Sequence, residues 1–313
     1  MGTPGPPAEG RSVDEAFEAH VAPTRGALTA LLDASDQLRD EWGSMPSADS
    51  PAMAELAAEA PFKGSSPWGE DPVGAAHNSG QLLLFGTGDC ARALVRLLSH
   101  ETTPVYAHLV LARASLELAS RAWWLFEPAI GVRLRVARGM NERIFGLSQQ
   151  SRLPLTEEDG ARACERRDAL FAEAERLGFQ TVPAPPKAPR YLEEMRPGQT
   201  ELIKNILSVG DDASLGAFVY GLFSAVAHGT TFGLTSSVTA DAPNLPRTPG
   251  LTWGAVYTSS LGVVSAVTAV ILGTAEAYRR RNKLFGWASQ SWNETCLRAI
   301  QAAKRSFPST ETT

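Results

Sequence analysis

Apolar residues recur every three to four positions along most of the chain, which is the spacing of one face of an α-helix. In residues 104–126, for example, the apolar line is Val105, Leu109, Ala112, Leu116, Ala119 and Trp123. No turn dipeptide typical of a β-hairpin separates alternating apolar runs, and no internal repeat is visible. Because each apolar stripe needs a neighbour to cover it, the pattern predicts an all-α fold, a single bundle of about seven to nine helices.

Capping residues predict several helix boundaries. Ser12 and Glu15 form a capping box at the start of the first helix, which Pro23 is expected to kink or break. Thr156 is expected to cap a later helix, and Gly178 to end it. Further helices are predicted over about 131–150, 200–209, 211–228 and 289–305.

The domain organisation is predicted to be simple. Residues 12–306 are expected to form one helical domain, with a disordered tail at 1–11 and a second tail at 307–313. Residues 44–80 are rich in Pro, Ser and Gly and contain only a short alanine-rich helix, which indicates a mobile arm. Thr87 is then expected to start the next helix.

One uncharged stretch, Leu251–Ala275, is long enough to span a bilayer. Ser, Thr and Gly dilute it, no other segment resembles it, and basic residues flank it at Arg247 and in the sequence YRRR at 278–281. A helix that is apolar all round is either a buried core helix or a membrane span. We predict a buried central helix of the bundle and no stable membrane association.

Composition indicates the cellular compartment of the protein and argues against some classes of binding partner. The chain has 29 Lys and Arg against 34 Asp and Glu among 313 residues, and this net charge of −5 argues against a polyanion binder. Cys90, Cys164 and Cys296 lack CxxC spacing, which is typical of a reducing cytosol rather than of disulfides or a zinc site. Because signal-peptide, phosphate-loop, dinucleotide and HExxH patterns are also missing, we expect a cytoplasmic protein without metal or cofactor.

Charged residues inside an apolar helix are the first site candidates. Arg113 and Glu117 lie four positions apart, with Arg121 and Trp124 farther along the same predicted helix. One interpretation is an ion pair at the helix edge that contributes roughly a few tenths of a kcal/mol. The other is a partly buried arginine placed to bind an anion. The sequence leaves both open.

The next predicted helix carries the densest basic run in the chain. Its arginines are Arg133, Arg135, Arg138 and Arg143. Helical spacing puts Arg135, Arg138 and Glu142 on a face separate from the apolar line. We expect that face to be solvated, with recognition of phosphate or carboxylate as the alternative, since the guanidinium fork suits both anions.

The only histidine with a distinctive setting is His228, in the sequence FSAVAHGTTFGL at 223–234. Gly229 is expected to end the helix, which places His228 in the last turn, where a positive charge is favoured. Ser224 lies four residues before it, and the neighbouring side chains are small. Another helix could therefore approach closely enough for the ring to contact it. The alternative is a structural histidine at a helix end.

Arg113 and Glu117 on one helix, followed by a later helix ending Ser-x-x-x-His-Gly, resemble the helical domains called HEPN and related bacterial helical families. The likeness covers about residues 104–235. HEPN ribonucleases also carry an arginine four to six residues before the histidine, where this chain has Leu222, Phe223 and Ser224. The resemblance therefore implies RNA cleavage only if Arg113 or Arg121 supplies that charge from another helix.

Three functional hypotheses follow. The first is a pocket for a small anionic or polar molecule, lined by His228, Glu117, Arg113, Arg121, Ser224, Arg135, Arg138 and Trp124, in which His228 and Glu117 could act as acid and base. The second is a HEPN-like nuclease or nucleic-acid-associated factor, although the acidic net charge predicts no nucleic-acid partner. The third is a structural or partner-binding module. Self-association as a homo-oligomer stays open in all three.

Overall fold

The computed structural model describes residues 13–43, 45–99, 104–153, 156–183, 190–208, 214–236, 238–241, 255–287 and 289–306. The α-helices in these ranges are α1 (Val13–Trp42), α2 (Pro51–Ala57), α3 (Pro72–Leu98), α4 (Ala107–Leu125), α5 (Val132–Arg152), α6 (Glu157–Arg176), α7 (Gln199–Ile206), α8 (Ser214–Ala227), α9 (Thr231–Ser236), α10 (Ser260–Phe285) and α11 (Gln290–Arg305). The all-α prediction is confirmed. The predicted tails, 1–11 and 307–313, lie outside the described ranges.

Two short antiparallel ribbons accompany the helices in the part of the chain that is described. One pairs β1 (Thr181–Val182) with β2 (Tyr191–Leu192). The other pairs β3 (Val238–Asp241) with β4 (Ala255–Thr258). The second ribbon corrects the prediction that the central helix begins at Leu251. β-Branched and aromatic residues such as Val256 and Tyr257 suit an extended strand, so the helix begins only at Ser260.

The main core surrounds α10, which packs against α1, α4 and α11. The predicted burial of the central helix is thereby confirmed, since Val263, Val267 and Ile271 have no exposed surface. By length and composition α10 could also cross a membrane, and 61% of its most apolar 18-residue window is buried in the fold. The absence of membrane association stays a prediction.

A second, smaller core lies between α5 and α6. Ile144 of α5 and Leu170 of α6 are buried there, together with Trp68 and Phe179. The predicted boundaries of α6 are confirmed. The Thr156 hydroxyl accepts a hydrogen bond from the Asp159 backbone nitrogen at 3.1 Å, and Gly178 follows the helix with a φ of +76°.

Pro23 lies inside α1 and does not break it, and Val21 and Leu28 on either side are buried; a kink at Pro23 stays a prediction. Two other local predictions need correction. Thr87 does not begin a helix but lies within α3, which the Asp71 carboxylate caps by accepting from Gly74 N at 2.9 Å. The irregular segment proposed at 44–80 is shorter than predicted, since residues 72–80 belong to α3 and Trp68 is 1% exposed; its mobility stays a prediction.

Candidate functional site

Arg113 and Glu117 form an ion pair between successive turns of α4, and Tyr220 of α8 contacts both. The Arg113 Nε donates to Glu117 Oε1 at 2.7 Å, and the Tyr220 hydroxyl donates to the same oxygen at 3.1 Å. The Arg113 guanidinium also lies 5.6 Å from the centre of the Tyr220 ring. Both charged groups are half-buried and already have partners within the fold. Their contacts are those expected of a structural ion pair on one helix that a tyrosine of a second helix covers.

His228 stands at the end of α8, as predicted, but its ring is exposed. Gly229 has a φ of +64°, and Thr230 N donates to Ala225 O at 3.0 Å, which is the hydrogen bond that commonly closes a helix at such a glycine. Tyr220 contacts Glu117, whereas His228 lies about 12 Å farther along the helix axis. The structure therefore does not bring His228 to the Arg113–Glu117 pair, and Ser224 contributes its carbonyl to the His228 backbone nitrogen.

The expectation of a solvated arginine face on α5 is wrong. Arg135 is 1% exposed and Arg138 is 8% exposed. The Arg135 Nε lies 3.0 Å from a carboxylate oxygen of Glu55, which is itself buried. Arg138 donates to Glu194 and stacks 4.8 Å above the ring of Trp124. Burial in these pairs leaves neither arginine available for phosphate.

The remaining basic candidates also have partners inside the fold. Glu142 accepts from Arg121, and from Arg196 at 2.7 Å, so one carboxylate joins two arginines. Arg133 pairs with the Glu193 carboxylate at 2.7 Å, and Arg143 donates to the backbone carbonyls of Pro67 and Trp68. The predicted basic stripe thus links α5 to the segments that pack against it, both helical and irregular.

A cavity that the sequence did not reveal lies between α1, α3 and α10. Its volume is about 450 Å³. It is lined by Ser35 and Arg39 of α1, Asn78, Gln81, Leu82, Leu84 and Phe85 of α3, and Tyr278 and Arg281 of α10. The spacing of each group, at intervals of three or four, puts its members on one face of their helix. Three helix faces therefore converge on this space.

Arg281 is the most unusual group at this cavity. It is 2% exposed, and its guanidinium lies 4.7 Å from the Tyr278 ring centre and 4.6 Å from that of Trp287. The Nε donates to Asn282 Oδ1 at 2.9 Å, whereas the Nη2 atom is buried without an acceptor. No carboxylate pairs with Arg281 in the part of the chain that the structure describes. Burial lowers its pKa to about 10.

The carboxylate that acts electrostatically on Arg281, that of Asp36, already has other partners. Asp36 on α1 forms ion pairs with Arg92 and, at 3.1 Å, with Arg39. None of the described residues that line the cavity is acidic, and the Gln81 Nε2 is a second buried donor without an acceptor. The residues that line the cavity therefore include a buried positive charge and no negative one, which is a setting that favours an anion.

The sequence around Arg281 explains why it points inward. Arg279, Arg280 and Arg281 are consecutive, so they project in three directions, about 100° apart around α10. Arg279 pairs with Glu276 at 2.7 Å near the surface, and Arg280 pairs with Glu127. Only Arg281 turns into the core. The YRRR sequence carried this signal, because three adjacent residues of a buried helix cannot all face solvent.

Among the residues that the structure describes, no group of three His, Cys, Asp or Glu side chains is placed to hold a metal ion.

None of the family models, curated proteins or solved structures compared with this chain matches it significantly. The resemblance to HEPN domains therefore stays a prediction.

Proposed function

We propose that this protein binds a small anionic molecule in the cavity between α1, α3 and α10, with Arg281 as its charge partner. The observation that carries the proposal is a buried guanidinium without a carboxylate, at the wall of a cavity. Burying an ion without a partner costs several kcal/mol. The negative charge of an anion in the cavity would offset part of that cost.

The contrast with Arg135 supports this interpretation. Arg135 is equally buried, yet Glu55 and the carbonyl oxygens of Leu125 and Glu127 accept its hydrogen bonds. Arg281 instead has two aromatic rings and one amide oxygen. Each ring contact contributes only about 0.5–2 kcal/mol and accepts no hydrogen bond in the plane of the guanidinium. A structural role thus accounts for the position of Arg281 less completely than ligand binding does.

The nucleic-acid alternative draws no comparable support. Its candidate arginines on α5 are paired inside the fold, and the exposed ring of His228 has no charged partner from α4 within the described contacts. The proposal therefore retains a small anionic ligand, as the sequence suggested, but moves it from His228 to Arg281.

Titration with sodium butanoate and with inorganic phosphate tests the proposal. Saturable heat in calorimetry, or chemical-shift changes of the Trp287 indole, should accompany binding of butanoate to the wild type and be lost in Arg281→Met. Arg279→Met is the matched control, because Arg279 lies two positions before Arg281 on the same helix, is exposed and pairs with Glu276. The proposal fails if neither anion binds saturably, or if both variants bind like the wild type.

A further inference from the structure

Two large apolar side chains stand exposed beside Arg281. Leu82 and Phe85 line the same cavity, and each is 71% exposed. They lie three residues apart on α3 and therefore share one face. Leu84 and Tyr278, which also line the cavity, are buried. The space thus has an apolar floor and an apolar rim, with a cation in its wall.

A buried cation and an exposed apolar rim at one cavity indicate what kind of anion would bind there. We infer that the ligand is a soluble monoanionic amphiphile, a carboxylate with an aliphatic or aromatic body; this inference rests on the proposed function. Its carboxylate would accept from Arg281 and Gln81, and its apolar body would cover Leu82 and Phe85. The cavity volume of about 450 Å³ lies within the range of small-molecule sites.

The charges at the cavity indicate a monoanion. Arg39 already lies 3.1 Å from Asp36 and 3.6 Å from Asp40. Arg281 is then the one lining cation without a carboxylate partner among the residues described. A single negative charge neutralises it. A phosphate monoester carries about 1.5 to 2 negative charges at neutral pH, so part of its charge would have no cation to pair with in the cavity.

The exposed apolar pair argues for a body longer than that of a minimal anion. Acetate or butanoate would satisfy the guanidinium while leaving Leu82 and Phe85 in water. Each methylene that such a ligand buries contributes about 0.8 kcal/mol when burial is complete. Because the rim is partly open, we expect about two- to fourfold tighter binding for each methylene that reaches it.

Titration with butanoate, hexanoate, octanoate and decanoate, all below their micellar concentrations, tests this inference by calorimetry. Affinity of the wild type should rise along the series. Combining Leu82→Ser with Phe85→Ser should flatten the rise, so that decanoate binds this variant no more tightly than butanoate does. The control combines Leu153→Ser with Leu297→Ser, two exposed leucines away from the cavity, and should behave as the wild type.

The outcomes distinguish failure of the amphiphile from failure of the proposed function. Equal affinity for butanoate and decanoate overturns the amphiphile and leaves the proposed function standing. No saturable binding of any anion overturns both. Decanoate binding that survives Arg281→Met shows apolar association without the guanidinium and overturns the amphiphile; the proposed function fails with it only if butanoate binding survives in that variant too. Sedimentation with phosphatidylglycerol vesicles, without binding of decanoate, would identify a lipid surface as the partner and overturn a soluble ligand.

Discussion

Arg135 and Arg281 are two arginines of nearly equal burial that should respond in opposite ways to the same substitution. Arg135 is 1% exposed and Arg281 is 2% exposed. Replacement by Met keeps much of the aliphatic stem of each side chain and removes the charge. The two variants therefore compare a buried arginine that has a carboxylate partner with one that has none.

Arg135→Met should lower the free energy of unfolding strongly. It would leave the Glu55 carboxylate, which is 8% exposed, with only His77 at 2.9 Å, and would remove the donor to the Leu125 carbonyl. Removing one member of a buried ion pair typically costs about 3–5 kcal/mol, because the other charge stays buried. We expect a loss of that size.

Arg281→Met should cost little stability or increase it. Burial lowers the pKa of Arg281 from 12.5 to about 10, and at 1.36 kcal/mol per pKa unit this corresponds to about 3 kcal/mol. Because the folded pKa is the lower one, the penalty is fully present at neutral pH and is relieved only as pH rises through that range. The lost contacts with Tyr278 and Trp287 offset part of the gain. We expect a free energy of unfolding that is unchanged or about 2 kcal/mol higher.

Urea unfolding followed by circular dichroism at neutral pH measures the free energy of unfolding of both variants. Arg279→Met, at an exposed arginine, is the control and should lie within about 0.5 kcal/mol of wild type. Ligand must first be removed by dialysis, because a bound anion would stabilise the wild type alone. If Arg281→Met destabilises as much as Arg135→Met, Arg281 has a strong partner in the ligand-free protein. The argument for an unpaired cation at the cavity would then be refuted.

Three other substitutions test separate parts of the structure. His228→Asn should change the free energy of unfolding by less than about 0.5 kcal/mol, because the ring is exposed; a larger thermal or urea shift would contradict this. Gly80→Ala should cost about 1–3 kcal/mol in urea, since a Cβ there would overlap the Phe126 ring. Burial raises the pKa of Glu55, but hydrogen bonds from His77 and Arg135 outweigh it and hold the pKa below 4.5. The stability difference between wild type and Glu55→Gln should therefore be full above about pH 4.5 and shrink below it in acid unfolding series, whereas a constant difference would refute this assignment.

Several helix ends could be predicted from the sequence alone. Thr156 caps a helix, and Gly178 and Gly229 end helices in the left-handed conformation. Such caps and turns depend on residues only a few positions away, so the local sequence predicts them. The apolar period of the chain likewise determined the all-α class. The error at Thr87 arose because α3 already begins at Pro72, where the Asp71 carboxylate caps it.

Which charged residues are buried, and with which partners, could be read from the tertiary structure but not from the sequence. Periodicity shows that Arg135 and Arg138 share a face, but it cannot show that another element covers that face. Glu55 pairs with Arg135 across 80 residues of chain, and Arg281 reaches a cavity built by helices that begin at Val13 and Pro72. Burial and pairing depend on contacts between distant segments, and a single sequence carries no direct record of them. The candidate site therefore emerged at an arginine that the sequence marked only as a flanking charge, because the packing of α1 and α3 against α10 decides its surroundings.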